Sequence, residues 1–191
     1  SADIDIYCAM AGAGFDFLWI EMQHSPLTYA QVAAMIRACP GPAIPFIRVP
    51  TDSEGDIQKA VDIGALGVMV PMVDTVEKIS NAISYAKYPP VGKRSQGGGQ
   101  YGAIWGRSYR EFANDNIMII AMIESPAGVE IVDQVAALEQ VDVVFVASSD
   151  LGSFTGRRQG DPQYEVLVTR IKEATQTAGK IVAGPSAWKD T

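Results

Sequence analysis

The chain has 191 residues, 48% of them hydrophobic and 19% charged, with a net charge of −7. That much apolar surface offsets the entropy of ordering the chain, which excludes a disordered protein. The acidic balance argues against nucleic acid or an anionic membrane as partner, and no run of about 20 uninterrupted apolar residues offers a membrane span.

Short apolar runs alternate with amphipathic stretches along the chain. The N-terminal Ser1-Ala2-Asp3-Ile4-Asp5 is neither basic nor a signal core. A strand is expected over Phe15 to Glu21 and a helix over Tyr29 to Ala38, where Val32, Met35 and Ile36 keep helical spacing. The same pattern gives a strand over Ala43 to Val49, a helix around Asp56 to Ile63, a strand over Gly67 to Pro71 and a helix from Val76 to about Lys87. A strand over Ile117 to Glu124, a helix over Ala127 to Leu138 and a strand over Val141 to Ala147 follow. The last elements are a helix from about Gln163 to Ala178 and a strand over Lys180 to Ala183.

Continuously apolar strands are those of a parallel sheet covered on both faces, and repeated strand-helix units give an α/β fold. The irregular stretch Tyr88 to Arg110, with Pro89-Pro90 and the run Ser95-Gln96-Gly97-Gly98-Gly99-Gln100, reads as functional or mobile, and its Gly97-Gly98-Gly99 as a flexible lid. Its glycines lack the Lys-Ser/Thr ending of a phosphate-binding loop. Cys8 and Cys39 stand in helix-like stretches without CxxC spacing. They are expected to be a reduced pair in a cytoplasmic protein, with a disulfide as the alternative.

Six strands fit an open doubly wound sheet or an incomplete barrel. Glu21, Arg48, Glu124 and Asp150 each stand at or just beyond the C-terminal end of an expected strand. In a barrel those ends converge on one rim, which favours the barrel. Glu124 and Asp150, about one strand-helix repeat apart, suit a hard divalent cation, or each caps the helix that follows. His24, the only histidine, is an ordinary polar residue or a general acid-base. Arg48 pairs with an acid such as Glu21, or donates to a substrate carboxylate or enolate oxygen.

Several runs jointly resemble the HpcH/HpaI aldolases, a family of metal-dependent pyruvate aldolases. They are Gly14 to Ser25 (with Trp19-Ile20-Glu21-Met22-Gln23-His24), Phe46-Ile47-Arg48-Val49-Pro50, Val70-Pro71-Met72-Val73 and Tyr88 to Arg94. Ala121-Met122-Ile123-Glu124-Ser125 and Val144 to Leu151 complete them, in family order over nearly the whole chain. The resemblance implies a (β/α)₈ TIM barrel, here one domain over residues 1–191, lacking the first strand and the last strand and helices. The absent parts are expected to lie in terminal segments outside the sequence or to come from a neighbouring subunit.

The resemblance also implies a carbon-carbon lyase that cleaves or forms 4-hydroxy-2-oxo acids through a pyruvate enolate. Glu124 and Asp150 would hold Mg²⁺, Mn²⁺ or Co²⁺. His24 matches the family's catalytic histidine and Arg48 its enolate-stabilising arginine, with Glu21 beside them. Ala147, Ser148 and Ser149 match the segment that holds the substrate carboxylate. The implied partners are a 2-oxo acid and an aldehyde, in a homo-oligomer that is commonly a hexamer. No Schiff-base lysine is called for: Lys59, Lys78, Lys87 and Lys172 fall on expected helices. Departures from the family pattern are Glu21 for Asp, Gln23 for Glu, Met122 for Gln, Ser148-Ser149 for Gly-Pro and Ser95 to Gly99 for Gly-x-Gly. They bear on the aldehyde partner more than on the enolate chemistry.

Overall fold

A computed structural model of the protein describes residues 3–185. It has six strands, β1 (Phe17–Glu21), β2 (Ile44–Arg48), β3 (Gly67–Val70), β4 (Met118–Ile123), β5 (Val143–Val146) and β6 (Ile181–Ala183). The sheet keeps chain order, β1-β2-β3-β4-β5-β6. A doubly wound sheet reverses its strand order at a switch point, and this one has no such reversal. Sequential winding is compatible with a barrel.

The chain falls into two compact units, with boundaries inside β3, inside the helix Val76–Ala86 and inside β4. The first takes in residues up to Met69 and Asn81–Met118. It contains α1 (Ile4–Ala11), α2 (Tyr29–Ala38) and α3 (Glu54–Asp62). Local signals start each helix. Asp3 caps the N–H groups of Asp5 and Ile6, Thr28 and Gln31 form a reciprocal capping box, and Ser53 caps Asp56. The β1–β2 and β2–β3 ladders are parallel, with Glu21 opposite Arg48 and Arg48 opposite Met69.

The expectation of two covered faces fails on β1, where Leu18 and Ile20 are buried but Phe17 and Trp19 are 49% and 38% exposed. Leu18 and Ile20 line a cleft with Tyr7 of α1 and Met35 of α2, whose buried stripe is Val32, Met35 and Ile36. On the other face Phe17 stacks on Phe46 at 4.7 Å between ring centroids.

The second unit takes in Val70–Ser80 and the chain from Ile119 onward. Its strands β4, β5 and β6 pair in parallel, with Ile123 opposite Val146. It contains α7 (Pro126–Glu130), α8 (Val132–Ala136), α9 (Ser148–Thr155) and α10 (Pro162–Thr177). The single helix expected over 127–138 is thus two, interrupted at Ile131 (φ −101°, ψ 3°), where the sequence carries no Gly or Pro. Asp150, expected at or just beyond a strand end, stands in the first turn of α9, which directly follows β5.

Two expectations are corrected in the first unit. Cys8 and Cys39 form a disulfide, which ties the middle of α1 to the C-cap of α2 with the Cα atoms 5.3 Å apart. Only the packing of α1 on α2 brings the two cysteines within bridging distance.

The stretch Tyr88 to Arg110, expected to be functional or mobile, contains α5 (Tyr101–Trp105) and the start of α6 (Tyr109–Asn116), which follow α4 (Val76–Ala86) in the chain. It packs beside the N-terminal ends of β2 and β3, the ends opposite Glu21 and Arg48. Gln100 Nε2 donates to the carbonyls of Ala33 and Ile63 at 3.0 and 2.7 Å, and Trp105 Nε1 donates to Gly64 at 2.9 Å. Beneath it Arg94, 2% exposed, reaches Asp62 at 2.6 Å and Tyr109 Oη at 3.0 Å. The guanidinium also lies 4.5 Å from the centre of the Tyr88 ring. The rings of Tyr88, Tyr101 and Tyr109 and two hydrogen bonds stand in for the water that this cation gives up.

Candidate active site

In the first unit, Glu21 and Arg48 end adjacent strands and meet across the ladder. Arg48 Nε donates to Glu21 Oε2 at 2.5 Å, and Arg48 Nη2 reaches the same oxygen. The guanidinium also lies 5.4 Å from the centre of the Trp19 ring. Glu21 Oε1 accepts the N–H groups of Gln23 and His24 at 2.7 and 3.0 Å, and Ser25 Oγ donates to the Glu21 carbonyl. One carboxylate therefore holds both the arginine and the loop carrying His24.

The His24 side chain is exposed. Gln23 Oε1 is shielded from solvent and accepts no hydrogen bond from the described residues. A cleft of about 250 Å³ between α1 and β1 opens onto this group, lined by Tyr7, Met10, Trp19, Glu21 and Ser25 among others.

In the second unit, Glu124 follows β4 directly and is 2% exposed. Its Oε1 accepts the Met72 N–H at 2.5 Å. The β4–β5 register sets Ile123 beside Val146, and the Ala147 N–H donates to the Ile123 carbonyl at 3.1 Å. Glu124 and the segment Ala147–Asp150 thus leave neighbouring strands at one level.

Ser148 and Ser149 line a cleft of about 360 Å³ together with Arg157, Arg158, Gln159 and Tyr164. Arg157 and Arg158 escaped the sequence reading, because a charged pair in a loop looks like any solvated surface.

No three His, Cys, Asp or Glu side chains form a metal-binding cluster among the described residues. The donor chemistry nonetheless suits a hard divalent cation. Glu124 is a deeply buried carboxylate, a state that calls for compensating positive charge or strong donors, and Asp150, in the first turn of α9 after β5, is a second carboxylate that could serve as an oxygen donor. Three of the four lysines set aside as Schiff-base candidates lie on helices, Lys59 on α3, Lys78 on α4 and Lys172 on α10. Lys87 falls one residue past α4, buried, with Nζ donating to the carbonyls of Asn114 and Ile117 at 2.5 Å each.

The comparisons with known proteins agree with the sequence resemblance. A hydroxypyruvate/pyruvate aldolase of Chromohalobacter salexigens is 34% identical over 178 residues, covering 90% of this chain and 70% of the relative. A 4-hydroxy-2-oxovalerate aldolase of Novosphingobium aromaticivorans is 35% identical over 156 residues, covering 80% of this chain and 59% of the relative. Among solved structures, an HpcH/HpaI aldolase/citrate lyase family protein from Burkholderia cenocepacia superposes with a TM-score of 0.88 at 30% identity. That match covers 96% of this chain and 76% of the other. The citrate synthase SbnG superposes with a TM-score of 0.85 at 31% identity, covering 97% of this chain and 74% of its own. The family model for HpcH/HpaI aldolase/citrate lyase matches residues 1–184, and the chain belongs to that family.

Proposed function

We propose that this chain acts as a divalent-metal-dependent aldolase, a carbon-carbon lyase that interconverts a 4-hydroxy-2-oxo acid with pyruvate and an aldehyde. The observation that carries this reading is the ion pair of Glu21 with Arg48, which fixes a cation at the end of β2 and holds the His24 loop through the same carboxylate. Family membership and the aldolase names of the relatives support it.

Glu124 and Asp150 are the residues that would hold Mg²⁺, Mn²⁺ or Co²⁺, and the bound cation supplies Lewis acidity at the 2-oxo group. The rest of the chemistry falls to the chain's own side chains. Ser148, Ser149 and the backbone at Ala147 bind the substrate carboxylate. The His24 imidazole takes the proton of the 4-hydroxyl group. The C3–C4 bond then breaks, the aldehyde departs, and the electron pair passes to C3 as the enolate. Arg48 stabilises the negative charge on the former keto oxygen, with Glu21 keeping the guanidinium in place. Protonation at C3 releases pyruvate.

This reading includes closure of the sheet into a single-domain (β/α)₈ barrel and a homo-oligomeric, commonly hexameric, assembly. No helix among the described residues is long and apolar enough to cross a membrane. The test is pyruvate release from a panel of 4-hydroxy-2-oxo acids with Mg²⁺ or Mn²⁺, read through lactate dehydrogenase. EDTA should abolish the signal and added metal restore it. No pyruvate from any substrate, with metal demonstrably bound, overturns the reading.

A second reading keeps the metal-enolate platform but changes the reaction, to decarboxylation of a 2-oxo acid or to carbon-carbon bond formation with another electrophile. Similarity to a structure named as a citrate synthase favours it, as do Ser148-Ser149 in place of the family's Gly-Pro. Oxaloacetate decarboxylation without aldol cleavage would select it.

A further inference from the structure

Pro71 to Asp74 form the turn that follows β3. Met72 has φ +50°, the one positive value at a non-glycine position among the described residues. A residue with a Cβ is unfavourable there, and persists only where its surroundings fix it.

Four contacts fix this turn. The Met72 N–H donates to Glu124 Oε1 at 2.5 Å, the Val73 N–H to the Met122 carbonyl at 3.1 Å, and the Asp74 N–H to the Met72 carbonyl at 2.9 Å. The Asp74 carboxylate accepts from Ser125 Oγ. Behind the turn, α7 comes close because residue 128 is glycine: a Cβ there would lie 2.9 Å from the Val73 carbonyl oxygen.

The angle φ at Met72 sets the direction of its N–H relative to the chain that follows. The positive value is what lets two successive N–H groups reach two partners at the end of β4, Glu124 and Met122. One of those partners is the buried carboxylate of the candidate metal site.

We propose that Met72 is a positioning residue, whose left-handed backbone aims its N–H at Glu124 Oε1 and so sets how that carboxylate is presented to a divalent cation. The inference rests on reading Glu124 and Asp150 as metal ligands. It assigns the unfavourable turn a role in binding and not merely in reversing the chain.

Two substitutions separate backbone from side chain. Met72→Gly keeps the N–H and adopts positive φ without steric cost, whereas Met72→Ile places a β-branched residue where it is least tolerated. Mn²⁺ affinity is measured by calorimetry without substrate, and exchange of the residue-72 amide by NMR.

Met72→Gly should keep affinity within about twofold of the parent protein and keep the amide protected. Met72→Ile should weaken Mn²⁺ roughly tenfold and expose the amide, and Glu124→Gln should shift the amide resonance. Should Met72→Ile fail to fold, Gly128→Ala, which presses on Val73, replaces it with the same readouts. Equal affinity in the parent protein and Met72→Ile, or equal loss in the Gly and Ile variants, overturns the proposal. If the parent protein binds no Mn²⁺, the ligand reading falls. The positioning role is then decided by the amide, and an amide unaffected by Glu124→Gln overturns it.

Discussion

Glu21 and Arg48 close one register pair of the β1–β2 ladder, with Arg48 Nε donating to Glu21 Oε2 at 2.5 Å while Glu21 Oε1 gathers the N–H groups of Gln23 and His24. A carboxylate divided in this way couples the arginine to the histidine loop, so disturbing Glu21 disturbs both. Glu21→Ala is expected to lower kcat for pyruvate release by about ten- to hundredfold, the usual effect of removing a group that orients catalytic side chains. Glu21→Gln, which keeps an acceptor but loses the charge, should fall between. Steady-state kinetics of the two variants with unchanged melting temperatures checks this, and parent-like turnover in Glu21→Ala refutes it.

Arg157 and Arg158 share a cleft with Ser148 and Ser149. Two cations beside the segment read as the carboxylate holder favour an anionic substrate. The double variant Arg157→Ala, Arg158→Ala should raise KM about five- to tenfold with kcat little changed, the pattern of lost uniform binding. Comparing substrates with charged and neutral aldehyde halves reads out which end of the substrate the arginines meet. An unchanged KM for every substrate refutes the expectation.

The Cys8–Cys39 bond spans 31 positions of the chain and joins α1 to the end of α2. A cross-link over a loop of that length stabilises the fold by about 3–4 kcal/mol in the chain-entropy view. Reduction, or Cys8→Ser, should lower the melting temperature by roughly 10 °C. Thiol alkylation under denaturing conditions should label neither cysteine before reduction and both after it. Labelling of both in the untreated protein refutes the bond. Such a bond persists in an oxidising compartment and is uncommon in a reducing cytosol.

The tyrosines make stability sensitive to alkali. Burial pushes the hydroxyls of Tyr7, Tyr109 and Tyr164 above the usual phenol range. Burial likewise raises Tyr88, and raises Tyr29, whose neighbour Asp56 adds to the effect. Tyr101 runs the other way: burial opposes ionisation, but hydrogen bonds with Arg110 and Tyr88 outweigh it and lower its pKa. Five groups that hold their protons longer in the folded state outnumber one that holds it less. The unfolded chain releases those protons near pH 10, so stability is present below that pH and declines as pH rises beyond it. Urea unfolding across this range, with phenolate absorbance read in parallel, should show the decline. Constant stability well above that pH refutes it.

Much of the framework is legible in the chain. The continuously apolar runs at 67–70 and 118–123 are strands buried on both faces, and Thr28 with Gln31 announces the start of α2. The positions of Glu21, Arg48 and Glu124 at strand ends follow from the same periodicity. Local pattern misplaces what depends on distant neighbours. The glycine run 97–99 looks like a lid, yet the flanking Gln100 and Trp105 are anchored by carbonyls at residues 33, 63 and 64. β1 looks fully buried, yet Phe17 and Trp19 stay 49% and 38% exposed.

The sequence by itself determined an acidic α/β protein of parallel strands, its likeness to one family, and the residue types able to bind a cation and an enolate. Periodicity and composition suffice for that, because each strand and helix answers to its own neighbours in the chain. Tertiary structure alone decided that Cys8 meets Cys39, that Glu21 divides its carboxylate between Arg48 and the His24 loop, and that Met72 turns its N–H towards Glu124. Each of these joins groups through the packing of separate elements or through a backbone angle, and neither is written in the spacing of residue types.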